Sequence, residues 1–175
     1  MKASGYDRVT NDWYIEPRWC VDALLDREAF TGTVIDPCCG AGNIIRACQD
    51  RGMHARGADI MDRGSGFETA DWRSWIAAPN VITNPPYGQI NEFIERMVEI
   101  AARKVCILAR LALLEGAERG KLFDRTPLAR VWVSRRRISM PPGGSDIKAS
   151  GGSIAYAWFV WERGYIGAPA LGWFS

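Results

Sequence analysis

Apolar side chains recur at helical spacing across residues 91–102. Phe93, Met97 and Ala101 fall on one line with Ile94 and Val98 beside it, which predicts an amphipathic helix. Residues 18–27 carry Trp19, Ala23 and Leu24 at the same spacing behind Pro17, a residue suited to a first helical turn. Residues 44–51 read as a third helix that stops at Gly52, and 115–124 as a short fourth. Between them lie short β-branched or apolar runs. TGTVID leads into a Gly-rich turn, MHARGADI ends near Asp59, and NVIT and KVCILA flank the 91–102 helix. Residues 63–75 read as loop with at most a short helix. Two aromatic-rich strands close the pattern, ARVWVSRR and SIAYAWFVWER, joined by the Gly/Ser-rich stretch 141–153, which is expected to be mobile.

Strand and helix alternate through the first two-thirds, which implies a parallel sheet covered on both faces. The last two strands have no helix between them and are expected to pair as an antiparallel hairpin at the sheet edge. The predicted fold is therefore α/β: a doubly wound, mostly parallel sheet with an antiparallel hairpin at one edge. Residues 1–16 are polar and turn-rich and read as an arm, followed by a single domain over 17–175. No internal repeat is evident.

Composition narrows the chemistry. The formal net charge of +2 gives no global polybasic signal, so any nucleic-acid contact must come from a local patch. Arg135, Arg136 and Arg137 with Lys148 form the candidate patch; a solvated strand end is the plainer reading. Five cysteines (Cys20, Cys38, Cys39, Cys48 and Cys106) form no C-x-x-C pair, and His54 is the only histidine. No metal site is expected, and the odd thiol count without a signal peptide reads as a reduced, cytoplasmic chain. No apolar run reaches the roughly 20 residues needed to span a bilayer.

Two stretches carry candidate chemistry. In VIDPCCGAGN, Asp36 ends a strand, and Gly40 and Gly42 form the turn before a helix. An open α/β sheet binds nucleotide-like ligands at such a place. A dinucleotide fingerprint would need a third glycine where Ile45 stands, so the turn alone fits a structural role as well. Asp36 would repel phosphate and attract an ammonium group. Asp59 ends the second strand, where a carboxylate can accept bonds from ribose hydroxyls, although a surface acid would look the same. Asp71 and Trp72 follow and could edge or stack on an adenine, or serve as a surface acid and a core aromatic. In VITNPPYGQI, Asn84 is held extended by the proline after it. Pro85 and Pro86 are rigid and lack donors, and Tyr87 offers a flat face. The bracket presents an amide and an aromatic ring.

Together, DPCCGAGN and NPPY resemble the S-adenosylmethionine-dependent amino-methyltransferases, chiefly the small phage-type DNA adenine-N6 group. Asp36, Pro37, Gly40 and Gly42 match the family's D-P-x-x-G-x-G motif, and Asn84, Pro85, Pro86 and Tyr87 its catalytic [DNS]-P-P-[YFW] motif. DWYIEPRWCVDALL resembles the cofactor-lining segment, which brings in Trp13, and LARLALLEG the segment after the next helix and strand. The resemblance covers most of residues 12–162. It implies a Rossmann-like methyltransferase fold with S-adenosyl-L-methionine as cofactor, held by Trp13, Asp36, Pro37, Gly40, Gly42, Asn43, Asp59, Ile60, Asp71 and Trp72. Its substrate would be adenine in DNA, with the base flipped or single-stranded. The same bracket also occurs in enzymes acting on RNA guanine or on protein glutamine, and a silent cofactor- or nucleic-acid-binding module is the contrasting class. Only a short helix separates residues 109 and 129, so no target-recognition domain is expected, and specificity is left to loops or an unknown partner. In relatives the Arg135–Arg137 region borders the substrate pocket. Ile138 and Met140 would then form part of that pocket's apolar wall.

Overall fold

The computed structural model of the chain describes residues 13–144, 146 and 154–175. Four helices, α1 (Arg18–Leu25), α2 (Asn43–Asp50), α3 (Ile90–Ile100) and α4 (Ala117–Arg125), accompany eight strands. The strands are β1 (Val34–Asp36), β2 (Ala55–Asp59), β3 (Glu68–Thr69), β4 (Ala78–Thr83), β5 (Ala101–Arg110), β6 (Leu128–Ser134), β7 (Tyr156–Glu162) and β8 (Ala170–Phe174). They form one sheet in the order β3-β2-β1-β4-β5-β7-β6-β8. β3 to β5 are parallel neighbours, and β7 runs antiparallel to both β5 and β6.

Alternation along the central strands builds two cores, because successive side chains leave a strand on opposite faces. Val105 and Ile107 of β5, with Phe159 and Trp161 of β7, pack under Phe93, Met97 and Leu122 of α3 and α4. Cys106 and Leu108, with Trp158 and Val160, face Cys20, Val21, Leu24, Ile44 and Ala47 of α1 and α2. Glu28, just after α1, ties the helical layer to the sheet. Its buried carboxylate accepts from Lys104 Nζ at 2.7 Å, Arg130 at 2.9 Å and Trp132 Nε1 at 2.9 Å. Burial alone would raise its pKa; the bonds from Arg130 and Lys104 outweigh that and hold it below the ordinary carboxylate range.

The predicted architecture is present, and the sheet extends further than the pattern suggested. β8 pairs in parallel with β6, so the β6–β7 hairpin is covered on its outer side and the sheet edge is β8. Residues 63–75 hold the two-residue strand β3 as well as a short 3-10 helix at Trp72–Ser74. Both additions are too short or too exposed to carry a period-2 pattern.

The order of strands fixes where a site can form. From β1 the chain winds outward through β2 and β3, then returns to place β4 on the other side of β1. This is a topological switch point, where loops at the carboxyl ends of adjacent strands part and leave a crevice. The two loops there are the Gly-rich turn after β1 and the Asn84 bracket after β4. β6 runs the same way as β5, so its exit also opens onto this end of the sheet.

Candidate active site

The turn after β1 is shaped by Gly40 and Gly42, with φ of +50° and +82°, a region that favours glycine. Each also permits a close approach. A β-carbon on Gly40 would lie 2.5 Å from Trp13 Cε3, and one on Gly42 would meet the Phe67 ring. Gly42 caps α2, whose first residue is Asn43.

The turn and the bracket line one cavity of about 300 Å³, a size within the range of small-ligand sites. Of the expected residues, Trp13, Pro37, Gly40, Asn43, Asp59, Ile60, Trp72, Asn84, Pro85, Pro86 and Tyr87 line it. Asp36, Gly42 and Asp71 do not. Asp36 is buried beneath the turn, where its Oδ1 accepts from the Cys38 amide at 3.1 Å. Asp71 caps the 3-10 helix, accepting from the Arg73 amide at 2.8 Å. Gly42 acts through the backbone.

Asp59 closes the floor. Its Oδ2 accepts from the Gly40 amide at 2.9 Å, and its Oδ1 from the Met61 amide at 3.1 Å and Arg63 Nε at 3.2 Å. Trp72 is both core and wall: it meets Phe93 edge-on at 5.1 Å and also lines the cavity. Ile60 is half exposed at the rim, at 52%.

The bracket's geometry follows from its prolines. Asn84 Nδ2 donates to the Tyr14 carbonyl and to Glu16 Oε2, both at 3.2 Å, and reaches Met140 Sδ at 3.6 Å. The carboxamide oxygen is thereby turned the other way, toward Tyr87, whose hydroxyl donates to it at 3.3 Å. Ile138 and Met140 are both buried, and Met140 forms the apolar backing of Asn84.

Residues 13–16 belong to this site. The Gly143 amide donates to the Trp13 carbonyl at 2.8 Å, and Tyr14 bridges to Pro142. The segment after β6 is thus held against the segment before α1, whose residues 13–16 line the cavity. β6 ends at Ser134, so Arg135, Arg136 and Arg137 lie on an exposed bend rather than on a strand with alternating faces. Arg136 stacks over Trp19 at 4.4 Å. Lys148 lies outside the described residues, as does most of the Gly/Ser-rich stretch.

Tyr14, Glu16, Cys38 and Cys39 also line the cavity, inside DWYIEPRWCVDALL and DPCCGAGN but not singled out there, and Arg63, Arg73 and Arg110 line it without having been marked in the sequence. Three arginines pair with three aromatics of the same wall, Arg63 over Trp13 at 5.5 Å, Arg73 over Trp72 at 4.1 Å and Arg110 over Tyr87 at 5.1 Å. Arg110, at the end of β5, keeps a buried Nε with no hydrogen-bond partner. Arg73 and Trp72 are chain neighbours, whereas the other two pairs join separate segments and left no signal in sequence spacing.

Acidic and basic side chains share the lining, Glu16 and Asp59 with Arg63, Arg73 and Arg110. Burial raises the Glu16 carboxyl to about 7, partly offset by the Asn84 bond and the Arg46 charge. Burial also raises Asp36 to about 8, and the like charges of Glu16 and Asp59 add to it. Both groups bind protons more tightly folded than unfolded. Their stabilising contribution is complete below about pH 4 and is lost as pH climbs to about 7 for Glu16 and about 8 for Asp36. Asp36→Asn is therefore expected to raise stability relative to the parent at pH 8.5 more than at pH 5, read by urea denaturation. An equal effect at both pH values would contradict the buried-acid assignment. Burial, reinforced by Asp36 and Asp59, also pushes the Cys38 thiol well up, so it stays protonated and is a poor nucleophile. All five cysteines are free. Among the described residues no cluster of His, Cys, Asp and Glu could hold a metal ion, and no helix is long and apolar enough to cross a membrane.

No protein-family model matches the chain, and no curated protein matches it. Solved structures do. One match is an RNA methyltransferase, so described on prediction, from Pyrococcus horikoshii, at TM-score 0.66 and 14% identity, covering 95% of this chain and 93% of that one. A second is the modification subunit of a predicted type I restriction enzyme from Vibrio vulnificus YJ016, at TM-score 0.60 and 11% identity, covering 90% of this chain. The present chain spans 45% of that subunit's length. A third is magnesium protoporphyrin IX methyltransferase from Synechocystis PCC 6803 with bound SAM, at TM-score 0.60 and 16% identity, covering 83% of this chain and 79% of that one. At these identities the likeness is one of architecture, and the chain has the Rossmann-like methyltransferase fold.

Proposed function

We propose that this chain transfers a methyl group from S-adenosylmethionine to the exocyclic N6 amine of adenine in DNA. The observation that carries the proposal is that the glycine turn after β1 and the Asn84-Pro85-Pro86-Tyr87 bracket after β4 line one cavity. The residues present fit such a cofactor. Glu16 and Asp59 line the cavity beside the turn, where their carboxyls would meet a ligand carrying an ammonium and a sulfonium. The close backbone at Gly40 leaves room for a ligand only where no side chain projects. Asp59 stands where ribose hydroxyls would be received, in place of or beside its bond to Arg63. Trp72, Ile60 and Pro37 supply apolar surface for an adenine, and Trp13 and Asn43 close the opposite side.

Bound there, the cofactor would supply a methyl on positive sulfur for the amine nitrogen, the C–S electron pair staying on the neutral thioether and the amine's surplus proton passing to solvent. The protein's part is to make that nitrogen a nucleophile. An aryl amine has its lone pair delocalised into the ring. Acceptors for each N–H, the Asn84 Oδ1 and the Pro85 carbonyl, favour a tetrahedral nitrogen and localise the pair. Rigid prolines hold these oxygens in place before reaction, which is electrostatic preorganisation. Tyr87 offers its face to the base, and a duplex base must leave its stack to reach it.

A nucleic-acid substrate is supported by the arginine-aromatic pairs that line the cavity, since stacked bases and phosphates are what such pairs receive. The exposed Arg135–Arg137 bend opens onto the same end of the sheet. Arg110→Met is expected to weaken DNA binding and to reduce the slope of log K against log salt by about 1, as for one lost phosphate contact. An unchanged slope would remove Arg110 from the interface. Sequence specificity would come from the loops or from a partner, in the way that one structural neighbour is a subunit of a larger enzyme.

The deciding assay supplies labelled S-adenosylmethionine with DNA, RNA and a glutamine-bearing protein in parallel, followed by mass spectrometry of the product. N6-methyladenine in DNA is expected. Label confined to RNA or protein would keep the mechanism and overturn the substrate; no label in any of the three would overturn both.

A further inference from the structure

Glu16 stands out among the buried polar groups at the site. It immediately precedes Pro17 and α1, lines the cavity, and is only 6% exposed. Its Oε2 accepts from Asn84 Nδ2 at 3.2 Å. An asparagine carboxamide can point either its oxygen or its nitrogen at a substrate amine, and only the oxygen can accept a proton bond. The Tyr14 carbonyl also accepts from Nδ2, but it is one neutral acceptor on a main chain that the Pro142 bridge must hold.

We propose that Glu16, as a carboxylate, is a positioning residue that fixes the rotamer of Asn84, so that Oδ1 rather than Nδ2 faces the methyl-accepting amine. This rests on the methyl-transfer reading of the site. An ionised carboxylate accepts only, so it admits one orientation of the amide. A protonated carboxyl admits another arrangement. Its hydroxyl can donate to Oδ1 while its carbonyl accepts from Nδ2, which takes Oδ1 away from the amine. The activity therefore carries a proton switch on a group that never touches the reacting atoms.

The groups that face Glu16 set where the switch falls. Asp36 at the end of β1 faces it with its own carboxyl raised by burial to about 8 and so protonated near pH 7, while the Arg46 charge on α2 lowers the Glu16 pKa. Cys20 on α1, Cys39 in the turn and Tyr87 in the bracket all face it as well, each with its own pKa raised chiefly by burial and therefore neutral near pH 7. Asn43 Nδ2 holds the Glu16 carbonyl at 3.2 Å, which fixes the segment's backbone. With burial dominant, the carboxyl titrates near 7, so the switch lies in the neutral range.

The experiment compares the parent, Glu16→Gln, Glu16→Ala and Asn84→Ala. Single-turnover rates are measured on DNA from pH 5.5 to 9, and S-adenosylhomocysteine affinity by calorimetry. Glutamine keeps an acceptor for Nδ2 and cannot ionise. Its amide N–H can donate to Oδ1 as the protonated carboxyl does, so it is expected to hold the rate near the parent's acid-limb value and to remove the rise that the parent shows through about pH 7. Alanine is expected to cost about 10- to 100-fold in rate, the usual scale for a residue that orients a site group, with affinity for S-adenosylhomocysteine nearly unchanged. Loss of affinity in both Glu16 variants would make Glu16 a ligand of the cofactor instead and overturn the inference. A glutamine variant as fast as the parent at pH 9, or one whose rate still rises through the neutral range, would also overturn it. A parent inactive on DNA, RNA and protein alike would instead overturn the methyl-transfer reading itself, and Asn84→Ala separates the two by failing in rate whatever Glu16 does. Thermal unfolding of each variant identifies any that lose rate by failing to fold, and in that case the glutamine pH profile alone decides.

Discussion

Asn84→Ala is expected to slow methyl transfer by about 100- to 1,000-fold, the scale for removing one preorganised polar contact to a developing charge. Affinity for S-adenosylhomocysteine should stay within a few-fold, because Asn84 touches the cavity where the amine, rather than the bulk of the cofactor, would lie. The change should appear in the single-turnover rate and not in KM, since the contact strengthens only as the nitrogen pyramidalises. Asn84→Asp refines the point. Aspartate retains an acceptor for the amine but loses the Nδ2 bonds to the Tyr14 carbonyl and Glu16, and it sets like charge against Glu16. It should be slow at alkaline pH and recover as one of the two carboxyls takes up a proton. An Asn84→Ala protein that turned over normally would remove the bracket from the mechanism.

Trp158→Ala is expected to cost about 3–5 kcal/mol, the range for deleting a fully buried large aromatic. At this chain length that lowers the melting temperature by about 6–20 °C. Trp158 is completely buried, and its Nε1 donates to the Cys20 carbonyl at 2.9 Å. It pins α1 to the sheet, and α1 carries Glu16 and Pro17 at its entrance. The loss should therefore spread to the site, with reduced activity well below the melting temperature. Trp158→Phe keeps most of the packing and gives up the hydrogen bond, for about 1 kcal/mol plus a small cavity. Urea denaturation of the two variants checks both figures. A loss below about 1 kcal/mol for alanine would mean that this tryptophan is not the core residue described.

Much of this was legible in the sequence. The 91–102 periodicity became α3 over Ile90–Ile100, and the tryptophans of the last predicted strand proved to be core, with Trp158 and Trp161 essentially inaccessible. The meeting of the two motifs was also readable, because strand-helix alternation forces a switch point and both motifs end strands there. Other features left no local trace. Asp36 has the same strand-end signature whether it faces a ligand or lies beneath the turn, and only the Cys38 amide and the surrounding burial decide it. Glu16 sat at the end of a polar arm by composition; the structure draws residues 13–16 into the site through contacts with 140–143, over a hundred positions away. Arg110 read only as part of LARLALLEG, one residue past the predicted strand KVCILA, and its stacking on Tyr87 is a product of the β4–β5 pairing. β8 was missed because an edge strand of five mostly exposed residues, one of them glycine, has no apolar rhythm to read.

The central claim is that one crevice seats a sulfur donor beside the Asn84 carboxamide. A crystal structure of the chain with S-adenosylhomocysteine tests it directly. The account predicts the ligand's sulfur between the Gly40 turn and Asn84, its ribose beside Asp59 and its adenine against Trp72. A ligand seated away from the β1 and β4 loops, or walled off from Asn84, would contradict it.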